Sequence, residues 1–181
     1  MEVKSKQGGV DLLAAWEAQD GAIRAVTREF GVATREQLAG RSGLEIFRAM
    51  IAGELPAAPI TRTLDFLLVE ADAGRVVFQG RPGLAHYNPM GTVHGGWFAT
   101  LLDSALGCAV YTVLPPGKAY TTAELKINIV RPLTDKVPLV RAEGNVIHAG
   151  GRMATADGRL TGPDGKLYAH ASTTCFIFDN A

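Results

Sequence analysis

The sequence predicts an α+β domain in which one long apolar helix is covered by an antiparallel sheet, with extra helices in front. Three observations predict it. Residues 94–114 are apolar nearly all round and run into Pro115, Pro116 and Gly117, which reads as a buried helix with a firm stop. After that stop the apolar period changes to two: Leu125, Ile127 and Ile129 alternate with Glu124, Lys126 and Asn128. Three more strand-like runs then follow, split by turn residues.

The elements follow in order. Residues 11–30 carry Leu12, Leu13, Trp16, Ile23, Val26 and Phe30 at helical spacing, with Asp11 placed to cap them. Residues 43–51 give a second, shorter helix, with Leu44, Phe47 and Ile51 on one face. Residues 53–59 hold a glycine and two prolines and break regularity. Strands are expected at 64–70 and 76–80, split by Asp72, Ala73 and Gly74. The long helix comes next, then the alternating strand around 124–129. The last strands fit 139–148, 152–161 and 167–178, with a tight turn at 162–165 between the final two. One or two helices, two strands, a long helix and four strands make the expected order. Residues 1–40 read as an N-terminal helical appendage and 41–181 as the main domain. The appendage balances its charges and holds no motif residue, so we expect it to be dispensable for chemistry.

Composition narrows the function. The chain has 181 residues, enough for a full core, with 47% hydrophobic and 20% charged content. Its formal net charge of +0 gives no general electrostatic grip on nucleic acid or anionic membrane. No apolar run is long enough for a transmembrane helix, and the N-terminal residues have no apolar core of a secretory signal. Cys108 and Cys175 lie among apolar neighbours and read as reduced thiols of a cytoplasmic protein.

The chemistry concentrates in residues 88–103. Gly95 and Gly96 follow His94 at the start of the long helix, so their N–H groups lie at a helix N-terminus, where an anion or oxyanion is favoured. Asp103 stands alone among Leu101, Leu102, Ala105 and Leu106, and an unpaired carboxylate on a buried helix is a candidate for chemistry. Plain structural readings stand beside these: Asp103 as a backbone hydrogen-bonding group, Asn88 as a turn residue before Pro89, His94 as a hydrogen-bonding residue at the helix start. Gly95 and Asp103 are eight residues apart, about 12 Å along a helix. An oxyanion donor and a catalytic carboxylate must both reach one carbonyl, so one chain cannot supply both groups to one site. Two antiparallel chains can, which implies at least a dimer with two equivalent sites.

The Asn88-x-x-Gly91-Thr92-x-His94-Gly95-Gly96 pattern followed by Asp103, with the element order, resembles the hotdog-fold acyl-CoA thioesterases of the phenylacetate-degradation, PaaI-like type. The resemblance covers most of the chain after residue 43 and is strongest over 88–132. It implies a hotdog fold and hydrolysis of an acyl-CoA thioester. It implies Asp103 as the carboxylate that activates water or attacks the thioester, and the Gly95 N–H as the oxyanion donor. Asn88 would orient the thioester or the water, and Thr122 would stand beside the carboxylate, with Thr121 the alternative if the alignment slips. His94 and Gly96 are placed beside the substrate. The resemblance also implies homodimers that pair into homotetramers, with coenzyme A lying over the subunit interface.

No metal-ligand spacing and no cofactor motif is found: His86, His148 and His170 show no such spacing and read as structural or surface residues. No Gly-x-Ser-x-Gly elbow is present. Two other functions compete. A hotdog hydratase or dehydratase pairs its carboxylate with a His several residues on, but residues 104–114 hold no His. A non-catalytic acyl-CoA sensor with an N-terminal DNA-binding segment needs a basic segment, and residues 1–50 balance basic and acidic residues one for one.

Overall fold

A computed structural model describes residues 5–179, with side chains from residue 12 onward. The first four residues, which hold part of the charge balance noted above, lie outside it. Six strands form one antiparallel sheet: β1 (Phe66–Asp72), β2 (Arg75–Gly80), β3 (Lys118–Ile129), β4 (Val140–Ala149), β5 (Met153–Thr161) and β6 (Leu167–Asp179). Their spatial order is β1-β2-β4-β5-β6-β3. The long helix, α5 (Gly95–Tyr111), touches all six strands, so the sheet wraps it. This is the predicted α+β arrangement.

Two glycines bring helix and sheet together. A Cβ on Gly144 would meet the Ala105 carbonyl oxygen at 2.4 Å, and one on Gly158 would meet Leu106 Cδ1 at 2.5 Å. Larger residues there would lift α5 off β4 and β5. With that clearance, Phe98, Leu101, Leu102, Leu106 and Val110 are buried against Phe66, Val76, Val140 and Leu160. Each such side chain contributes roughly 1.5–3 kcal/mol by leaving water. The remaining stripe of α5, which carries Asp103, Ser104 and Cys108, is half-buried.

Four helices precede the sheet: α1 (Ser5–Val26), α2 (Arg35–Leu38), α3 (Gly43–Ile51) and α4 (Pro59–Thr63). Only α3 has its expected bounds, fixed by a capping box in which Ser42 and Glu45 exchange hydrogen bonds. The first helix ends earlier than expected, and Asp11 lies inside it rather than at its start. Phe30 leaves helical geometry to bridge Ala57, with Gly31 N–H donating to the Ala57 carbonyl and Ala57 N–H to that of Glu29. α2 and α4 were not foreseen. A Thr34–Gln37 capping box starts the former and a proline at the first position starts the latter. Asp65, at φ 49°, turns the chain after α4, so β1 begins two residues later than predicted.

The segment expected to be an appendage is packed onto the sheet. Trp16 and Ile23 of α1 are buried, and Ile23 packs with Leu67, Val69 and Val77 on the sheet face away from α5. The Arg141 guanidinium lies 4.5 Å over the Trp16 ring and pairs with Glu70 at 2.8 Å. Gln79, fully buried, accepts from Arg141 Nε at 2.8 Å and donates to the Trp16 carbonyl at 3.2 Å. Asp20, 1% exposed, takes charge-assisted hydrogen bonds from Arg24 and Arg81, both at 2.8 Å. Burial would raise the Asp20 carboxyl, but these two arginines outweigh it and hold the group below the usual carboxylate range.

Candidate active site

The site is built on the N-terminus and the middle of α5 and the edge strand beside it. His94 caps the helix: its Nδ1 accepts the Gly96 N–H at 2.9 Å. Trp97 fixes the first turn by donating its indole N–H to the Leu64 carbonyl at 2.9 Å, and His86 stacks on it with ring centroids 5.5 Å apart. The Gly96 N–H, placed beside the substrate by the sequence reading, is thus engaged by His94. The Gly95 N–H has no protein acceptor among the described residues. Gly95 lies against β3: a Cβ there would meet Ile129 Cδ1 at 3.3 Å.

Asn88 closes the preceding loop. Its Oδ1 accepts from the N–H groups of Met90 and Thr92, and its Nδ2 donates to Thr92 Oγ1 at 3.0 Å. The turn-residue reading of Asn88 is therefore present in the fold, and one Nδ2 hydrogen has no partner among the described residues.

Asp103 lies two turns along α5. Thr122 donates its hydroxyl to Asp103 Oδ1 at 3.0 Å, and both residues are half-buried. The structure pairs the carboxylate with Thr122; Thr121, on the other side of the strand, is exposed. Sequence reasoning missed the groups around this carboxylate. Burial pushes the Cys108 thiol up to about 12, opposed by a Tyr120 hydrogen bond, with the Asp103 charge adding to the rise. Burial likewise raises the Tyr120 hydroxyl, the Cys108 thiol and the Asp103 charge adding to it, and burial raises Cys175, which sits across the ladder from Thr122. All three stay protonated at neutral pH. The missed signal was Gly107: a Cβ there would meet the Tyr120 ring at 2.8 Å, so a glycine inside an apolar helix marked a ring lying over it.

Gly95 and Asp103 lie on one helix eight residues apart, so about 12 Å separates them along its axis. Along β3, Ile129 touches the Gly95 end and Thr122 the Asp103 end. Among the described residues β3 pairs only with β6, and its other edge is open. Among the described residues no cluster of His, Cys, Asp and Glu is grouped to hold a metal ion, and no helix is long and apolar enough to cross a membrane.

The chain is similar to known proteins. The family model described as the thioesterase superfamily matches residues 90–169. A putative thioesterase from Ralstonia eutropha JMP134, a phenylacetic acid degradation-related protein, is 30% identical with a TM-score of 0.65, over 72% of this chain and 98% of that one. A conserved protein from Pseudomonas aeruginosa is 25% identical with a TM-score of 0.63, over 67% of this chain and 94% of that one. The PaaI protein of the Escherichia coli phenylacetic acid degradation operon is 19% identical, which shows a shared fold, with a TM-score of 0.61 over 67% and 86%. A search of the curated proteins gives no match.

Proposed function

The chain belongs to the hotdog-fold thioesterase superfamily, among its PaaI-like members, and from that premise we propose that it hydrolyses acyl-CoA thioesters at sites shared between two subunits. The observation that carries the reading is the edge strand. Thr122 of β3 holds Asp103, and Ile129 of β3 abuts Gly95. An antiparallel pairing of two β3 edges in which Thr122 of one copy opposes Ile129 of the other would centre near Leu125 and Lys126. It would bring the Asp103 end of one α5 to the Gly95 end of the next. An open strand of this length, with half-exposed Ile129 and Val130 at its end, also favours pairing over exposure.

In this reading the thioester carbonyl oxygen accepts from the unengaged Gly95 N–H of one subunit. Asp103 of the other takes a proton from water, whose oxygen attacks the carbonyl carbon. The carbon–sulfur bond breaks, coenzyme A leaves as its thiolate, and the proton passes from Asp103 to the sulfur. Thr122 holds Oδ1 by donation, which aims Oδ2 at the water. Asn88 presents its remaining Nδ2 hydrogen to the thioester or the water. In a variant of the scheme, Asp103 attacks directly and water opens the resulting anhydride. The reaction so written needs no metal and no cofactor. Dimers pairing into tetramers and a cytoplasmic location complete the proposal.

The test is release of free thiol from a panel of acyl-CoA esters by the purified protein. Hydrolysis of at least one ester without added metal is expected. Tight binding of acyl-CoA with no turnover on any ester would overturn the enzyme reading in favour of a sensor.

A further inference from the structure

Two apolar cavities lie beside the half-buried stripe of α5 and meet at shared walls. The inner one, about 150 Å³, is lined by Ser104 and Cys108 of α5, Leu68 and Phe78 of the sheet, and Ile23 and Thr27 of α1. The outer one, about 330 Å³, is lined by Cys108, Tyr111 and Tyr120 on one side and by Gly31, Val32 and Ala33 on the other. Phe47, Met50, Ala58 and Cys108 line both. Ser104 follows Asp103 directly, Cys108 lies just over a turn further on, and Tyr120 is two residues from Thr122. The paired cavities therefore run along the stripe of α5 that follows Asp103, which lines neither of them, and lead out to the link between α1 and α2.

Their chemistry is selective. Thr27 donates its hydroxyl to the Ile23 carbonyl at 2.8 Å, and Thr61 donates to that of Ala58 at 2.6 Å. The two threonines that reach the inner cavity are thus spent on their own helices. No charged side chain lines either space. Ser104, Tyr111 and Tyr120 also line the walls, but a carboxylated acyl chain would lose its water there and meet no cationic side chain. An alkyl chain would lose only unfavourable hydration.

Resting on the thioesterase reading, we propose that these cavities receive the acyl group, that the substrate carries an uncharged, mainly alkyl acyl chain, and that residues 23–33 close the channel and set its length. The N-terminal segment is then part of the specificity apparatus.

The experiment follows two chain-length series, from acetyl to palmitoyl: hydrolysis of acyl-CoA esters, and binding of non-hydrolysable S-alkyl-CoA thioethers. In the wild type, both kcat/KM and affinity should rise about fourfold per methylene until the channel is full. Ala58→Phe fills the shared wall and should lower the octanoyl-to-butyryl ratio at least tenfold. Met50→Ala widens it and should shift the optimum to longer chains, with folding of both variants checked by circular dichroism. Flat length dependence in the wild type, or equal losses for all chains in Ala58→Phe, would overturn the channel. Length-dependent thioether binding without hydrolysis would keep the channel and overturn the hydrolase. A protein that neither hydrolyses nor binds any member of the series would overturn both.

Discussion

Thr122 donates its hydroxyl to Asp103 Oδ1 at 3.0 Å across the gap between the edge strand and the central helix. The bond fixes one carboxylate oxygen and leaves the other without a hydrogen-bond partner among the described residues. It also ties the carboxylate to β3, one of the two edge strands of the sheet.

Removing that donor should cost positioning rather than binding. Thr122→Ala should lower kcat about tenfold, about 1.4 kcal/mol of barrier, with KM changed by less than threefold. Thr122→Ser, which keeps the hydroxyl, should restore most of the loss. Steady-state kinetics on the best acyl-CoA ester of the panel decides it; a loss confined to KM would place Thr122 in substrate binding instead.

The Asp20 pair predicts an acid limit to stability. Its folded-state carboxyl lies below the ordinary value of 3.8, so its contribution is present above that pH and is lost as pH falls through the folded value. Asp20→Asn should destabilise the protein at neutral pH toward the lower end of the roughly 3–5 kcal/mol seen for broken buried pairs, since Arg24 and Arg81 are 38% and 42% exposed. Urea unfolding at several pH values should show the gap between wild type and variant closing below about pH 4. A constant gap would mean that the carboxylate charge is not what matters.

The N-terminal helix, expected to be dispensable for chemistry, should nonetheless be structural. Trp16→Ala removes a ring 7% exposed and the platform of Arg141, and should cost about 3–5 kcal/mol. Thermal unfolding would read this as a clear fall in Tm. An unchanged Tm would return α1 to the status of an appendage.

The central helix and the last three strands were legible because their signals are local. An apolar run ending in two prolines, and alternation bounded by turn residues, placed each to within about two residues at its start. β3 was legible only from Glu124, because a bulge between Thr122 and Glu124 shifts the alternation by one and hides the first half of the strand. Asp103, Gly95 and Thr122 were named from the motif and the resemblance, and the Asp103–Thr122 contact is in the fold. The corner of Cys108, Tyr120 and Cys175 was not legible, since it joins residues from one helix and two strands. The same holds for Trp16 with Arg141: residues 125 positions apart leave no periodic trace.

The shared site makes the sharpest prediction. Asp103→Asn keeps size and hydrogen bonding but removes the base, and turnover should fall at least about a hundredfold. Gly95→Val puts a side chain where a Cβ already meets Ile129 Cδ1 at 3.3 Å, and should shift the oxyanion donor or block the thioester. Each homodimer is then inactive. If Asp103 and Gly95 of one site come from different subunits, a mixed dimer has one site with both defects and one intact site. Random pairing makes half the dimers mixed, so mixing and refolding the two variants should recover about a quarter of wild-type activity if the sites act independently. No recovery despite confirmed subunit exchange would mean that the two residues do not serve one site from two chains, and the edge-to-edge pairing of β3 would fall with it.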